Sequence, residues 1–68
     1  MTFGEALLQI LDERGTNVNQ FAEDADIPKQ SLYSLVYGKS KEPSLGRAKQ
    51  IADALGMTLD ELAERVYR

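Results

Sequence analysis

With 68 residues, no cysteine and no histidine, the chain is one small domain at most, has no disulfide to brace it, lacks the usual zinc and haem ligands, and is expected to carry no metal and no cofactor. No apolar run approaches the roughly 20 residues of a membrane-spanning helix, and no basic start or apolar core marks an export signal, which points to the cytoplasm. The net charge of −3, taken whole, argues against a nucleic-acid partner, because holding phosphate requires a basic surface.

The expected elements are all helical. Thr2 with Glu5 three residues later fits a capping box, and Leu7, Ile10 and Leu11 follow at helical spacing. Gly15 is a natural stop, which places the first helix at about 3–14. Asn17 caps a second helix at 18–25, with Gln20 at its third position and Val18, Phe21, Ala22 and Ala25 on its apolar side. It stops near Asp26, because Ile27 precedes Pro28 and a residue before proline avoids the helical region. Pro28 suits the start of a third helix at 29–37, with Leu32, Leu35 and Val36 facing inward and Gly38 ending it. Gly38 to Pro43 reads as a polar loop. Ser44 caps a fourth helix at 45–55, whose apolar positions are Leu45, Ala48, Ile51, Ala52 and Leu55. Gly56 ends it. Thr58 with Glu61 forms a second capping box, and Leu59, Leu62 and Val66 mark a fifth helix at 59–66. No alternating β-branched run suggests a strand. The expectation is a single all-α domain of five short helices over 1–68.

Charge is distributed unevenly along these elements. Residues 1–27 carry six carboxylates against Arg14 alone, a net of −5. Residues 28–50 carry Lys29, Lys39, Lys41, Arg47 and Lys49 against Glu42, a net of +4, and residues 51–68 return to −2. The whole positive excess lies in one window, which suggests a local contact surface. That window begins at the most informative stretch of the chain. Two short helices are joined by the turn Ala25-Asp26-Ile27-Pro28, with Phe21, Ala22, Ile27, Leu32 and Leu35 spaced to share one core where they cross.

This stretch resembles the helix-turn-helix of the lambda-repressor-like and Cro-like family. The matching residues are Phe21-Ala22, Ile27, Pro28-Lys29-Gln30-Ser31-Leu32, Gly38-Lys39-Ser40-Lys41 and Pro43. Ile51-Ala52-Asp53-Ala54-Leu55-Gly56 is similar to the family's fourth helix and Thr58-Leu59-Asp60-Glu61-Leu62 to its fifth, so the resemblance spans about residues 2–65. It implies a five-helix domain that reads duplex DNA with its third helix in the major groove, as a transcriptional regulator of the repressor kind. Position by position, it implies base contacts from Lys29, Gln30, Tyr33 and Ser34. It implies phosphate contacts from Asn17, Gln20, Ser31, Gly38, Lys39, Ser40 and Lys41. A domain this small reads few base pairs, so a homodimer on a palindromic operator is the expected partner arrangement, and the resemblance implies Met57, Leu62, Val66 and Tyr67 at the dimer surface.

Three departures from the family pattern stand out. Pro28 replaces the usual serine or threonine cap of the recognition helix. Val18 stands where the family often has a phosphate-binding glutamine. Leu11 and Val36 stand where many members pair an arginine in the first helix with a glutamate late in the third. Losing one charge of a buried pair strands the other, whereas losing both together can be neutral or stabilising, so Leu11 and Val36 are expected to be buried and in contact. The competing reading is a helix-turn-helix module that binds protein, as an antirepressor or antitoxin-like partner. The acidic net charge, Val18 and the aromatics Tyr33 and Tyr37 favour it. Enzymatic function is not expected: without histidine or cysteine, no carboxylate, lysine, serine or tyrosine pair shows a recognised catalytic spacing.

Overall fold

A computed structural model describes residues 1–38 and 42–67 and contains five helices. They are α1 (Phe3–Glu13), α2 (Val18–Ala25), α3 (Lys29–Tyr37), α4 (Leu45–Leu55) and α5 (Leu59–Val66). Among the described residues there is no strand, and no helix is long and apolar enough to cross a membrane.

Local chemistry sets most boundaries. Both capping boxes form. Thr2 Oγ1 accepts from the Glu5 amide at 3.1 Å while Glu5 Oε1 accepts from the Thr2 amide at 2.9 Å, and Thr58 and Glu61 repeat the arrangement. Asn17 Oδ1 accepts from the Gln20 amide at 2.8 Å, and Ser44 Oγ from the Arg47 amide at 3.2 Å. Three helices share one ending. A left-handed residue lets the amide after it reach back to a carbonyl five residues earlier: Thr16 to Leu11, Ile27 to Ala22 and Met57 to Ala52. The left-handed residues are Gly15, Asp26 and Gly56. At the end of α2 the stop is therefore made by Asp26 itself, with φ of +56°, and not only by the restriction that Pro28 places on Ile27. The first helix ends at Glu13, a residue earlier than expected, because Arg14 already leaves helical geometry.

The core draws on all five helices and the turn between α2 and α3. Leu7, Ile10, Leu11, Leu32, Ile51 and Leu62 are fully buried, and Phe3, Phe21, Ile27, Leu55 and Val66 complete the apolar interior. No polar or charged side chain is buried among the described residues. Helix α1 packs against α2, α3 and α5, while α2 packs on α3 and α4, and α4 on α5. Gly4 makes the α1–α3 approach possible. A Cβ there would collide with the Leu35 carbonyl oxygen and come within 2.8 Å of the Val36 Cα.

Three expectations about burial need correction. Leu45 is 76% exposed, because it is the first residue of α4 and the polypeptide beyond Ser44 has not yet turned onto the core. Leu11 is buried as expected, but Val36 is only half-buried, and its backbone lies against Gly4 at the far end of α1. Leu62 and Val66, expected at a dimer surface, are 2% and 5% exposed, and their side chains are used up in the core of their own chain. Met57 is half-buried, and Tyr67 is 74% exposed.

Candidate nucleic-acid interface

The α2–α3 unit holds its outer face rigid from beneath. Phe21 and Ala22 on α2, Ile27 in the turn and Leu32 on α3 are all buried, so the three-residue turn is pinned between two packed helices. Pro28 caps α3 without a side-chain hydrogen bond; its carbonyl instead accepts from the Ser31 amide at 3.0 Å. With Leu32 inward, helical geometry turns Gln30 and Ser34 to the far side and Tyr33 to the flank, while Lys29 stands at the open first turn, and all four are exposed. Lys29, Tyr33 and Tyr37 follow one another at four-residue spacing, as do Gln30 and Ser34, so the five side chains form two adjacent rows.

The rows are partly organised by their neighbours. Lys29 Nζ lies 3.9 Å from Glu23 Oε1, a pair exposed on both sides and therefore weak. Tyr33 and Tyr37 stack with ring centroids 5.8 Å apart and planes inclined by 24°. The Tyr33 hydroxyl donates to Asn19 Oδ1 at 3.2 Å, bridging α3 to α2. Asn19 was not singled out in the sequence. Its one signal there is an asparagine inside a helix, where it neither caps nor favours the fold.

The other expected contact residues sit around this face. Asn17 and Gln20 are exposed on the first turn of α2, where Asn17 commits its side-chain oxygen to the cap and Gln20 Nε2 donates to Asp24 Oδ1 at 3.0 Å. Ser31 is half-buried, and Gly38 is exposed at the end of α3. A Cβ on Gly38 would strike the Ser34 carbonyl oxygen, so the tight exit of the chain there needs glycine. Lys39, Ser40 and Lys41 lie outside the described residues. Asn17, Asn19, Tyr33 and Tyr37 also edge an open groove of about 460 Å³ between the start of α2, α3 and the end of α1. Leu8, Leu11 and Val18 line its apolar part, and Asp12 adds a carboxylate.

The structure thus gathers Asn17, Gln20, Lys29, Gln30, Tyr33 and Ser34 on the α2–α3 unit, while Met57 and Tyr67 belong to the α4–α5 turn and the end of α5. A protruding helix braced by a second one is a shape that fits the DNA major groove. No curated protein matches the chain. The family model described as a Cro/C1-type HTH DNA-binding domain matches residues 6–67, which takes in all but the first turn of α1 and the other four helices entirely. On that match, and on the five-helix architecture that accompanies it, the chain belongs to the Cro/C1-type helix-turn-helix DNA-binding family.

Proposed function

We propose that the chain is a sequence-specific transcriptional repressor in the cytoplasm, binding duplex DNA as a homodimer with α3 in the major groove. The observation that carries this reading is the exposed polar face of α3 in a chain of this family. Lys29 suits the paired acceptors of guanine, and Gln30 suits the acceptor and donor of adenine. Tyr33 and Ser34 reach the next bases. Asn17, Gln20, Ser31 and Gly38, with Lys39, Ser40 and Lys41, hold the phosphates that set the register.

Size supports a dimer. The chain's Cα trace measures 26 × 26 × 22 Å. Two such bodies side by side are of a size that can set equivalent helices roughly 34 Å apart, the spacing of half-sites one helical turn apart. Met57 and Tyr67 are the surface residues assigned to that contact, and the two-fold symmetry implies a palindromic operator.

The test is a titration of labelled protein with random and selected duplex DNA, followed by amide NMR shifts at low and moderate salt. Shifts at Lys29, Gln30 and Ser34, with affinity falling as salt rises, are the expected result. An unmoved spectrum at low salt, where phosphate attraction is strongest, overturns the reading. A second reading, a protein-binding module of the antirepressor or antitoxin-like kind, draws on one observation: Tyr37 is 69% exposed, stacked on Tyr33 at the edge of the groove. In that case Tyr33 and Tyr37 substitutions abolish partner binding, and DNA leaves the spectrum unchanged.

A further inference from the structure

We infer that Asn19 is a positioning residue for base readout: it takes the Tyr33 hydroxyl proton and leaves the phenol oxygen as an acceptor that selects a base amino group, adenine N6 or cytosine N4. The inference rests on the DNA-binding reading above and adds to it the chemistry that one position of the site must carry.

A tyrosine hydroxyl has one proton to donate and lone pairs to accept with. In isolation it is therefore an indiscriminate reader, able to donate to guanine O6 or thymine O4 and to accept from adenine N6 or cytosine N4. Here the proton is already committed. Tyr33 Oη donates to Asn19 Oδ1 at 3.2 Å, across the seam between α3 and α2. The ring is restrained a second time by stacking on Tyr37. Both residues of the hydrogen bond are exposed, so the phenol oxygen stays open to a ligand. An oxygen whose proton points at Asn19 presents lone pairs to an incoming base edge. Guanine O6 and thymine O4 offer only lone pairs in return, whereas the amino groups of adenine and cytosine are the donors of the major groove. Asn19 has no competing local duty, since the cap of α2 is made by Asn17.

The experiment is selection of binding sites from a random duplex pool by the full chain and three variants, with the base preference read at each position. The wild type is expected to prefer one base pair at one position of the half-site, and to lose that preference when the pair's exocyclic amino group is removed by a base analogue that lacks it. Tyr33→Phe, which has no oxygen, flattens the preference at that position by about two- to tenfold, the worth of one hydrogen bond, and leaves the others unchanged. Asn19→Ala flattens the same position by a similar factor. Asn19→Asp restores it, because a carboxylate accepts the same proton, while lowering affinity for all sequences alike through repulsion of phosphate. An unchanged profile for Asn19→Ala, or a loss spread evenly over all positions, overturns the inference. So does a preference that survives removal of the amino group and yet disappears in Tyr33→Phe. If the wild type enriches no sequence at all, the DNA-reading function fails first, and the inference falls with it.

Discussion

Two residues carry conformational demands that their side chains do not advertise. Gly4 lies inside a helix, where alanine has the better propensity by about 1 kcal/mol. Yet its missing Cβ is the space into which the Leu35 carbonyl and Val36 Cα fit. Gly4→Ala is therefore expected to destabilise the fold by roughly 1–3 kcal/mol, the usual cost of overpacking against backbone, as measured by urea denaturation. A neutral or stabilising effect would mean that α1 and α3 can slide apart freely. Asp26 has the opposite character. It sits at φ of +56°, a left-handed conformation that disfavours residues with a Cβ, although aspartate bears it better than most. Asp26→Gly should raise stability by about 0.5 kcal/mol, seen as an upward shift in the urea midpoint. It also removes a negative charge from the turn that leads into α3.

At the scale of elements, the helices are held by their ends and, between α5 and α1, by a charged cross-link. The capping box at α1 holds the Glu5 carboxyl below its ordinary range, because the Thr2 amide and hydroxyl favour the charged form. A depressed carboxylate contributes stability above its unfolded pKa and loses it as pH falls through the folded one. Acidification below the ordinary glutamate range should therefore fray α1 at its start, with Glu5 titrating lower in an NMR pH series than in Thr2→Ala, which itself costs about 1 kcal/mol. The cross-link is Arg65 on α5, whose Nη2 lies 2.7 Å from Glu13 Oε2 and 3.4 Å from Gln9 Oε1 on α1. The Arg65 side chain is largely covered, and its Nε has no partner among the described residues. Most of what it contributes is therefore packing of its stem and one charged hydrogen bond. Arg65→Ala should cost about 1 kcal/mol, and Glu13→Ala less, in paired thermal melts.

For the molecule as a whole, the net charge misleads unless it is resolved along the chain. Acidic groups crowd the first 27 residues, and the positive excess falls between 28 and 50. In the fold, the start of that window is the exposed face of α3. An acidic chain whose positive excess is confined to one stretch of sequence should bind DNA with a marked salt dependence and little non-specific affinity. Lys39→Ala is expected to weaken binding evenly across sequences and reduce the log-affinity slope against log salt by about 1, whereas Gln30→Ala should relax preference at one base pair with the slope unchanged. Fluorescence anisotropy across a salt series separates the two. Equal slopes for Lys39→Ala and wild type would remove Lys39 from the phosphate contacts.

The five helices were legible in the sequence because their signals are local. Caps such as Thr2-Glu5, stops such as Gly15 and Gly56, and apolar spacing each act within a few residues, where the backbone's own hydrogen bonds decide the outcome. The outward position of Gln30, Tyr33 and Ser34 was legible for the same reason: once Leu32 faces in, the helical period turns them away, while Lys29 is exposed as the first residue of the helix. What the sequence left open depends on which elements meet. Leu45 reads as apolar and core-facing, but α4 begins before its chain reaches the interior. Leu62 and Val66 are assigned to a dimer surface by the family resemblance, and the packing of α5 on α1 and α4 places them in the core instead. The Tyr33–Asn19 bridge joins residues fourteen apart across two helices, and the Gly4–Leu35 approach joins residues further apart still. Such pairings come from the crossing of helices, and no local propensity encodes a crossing.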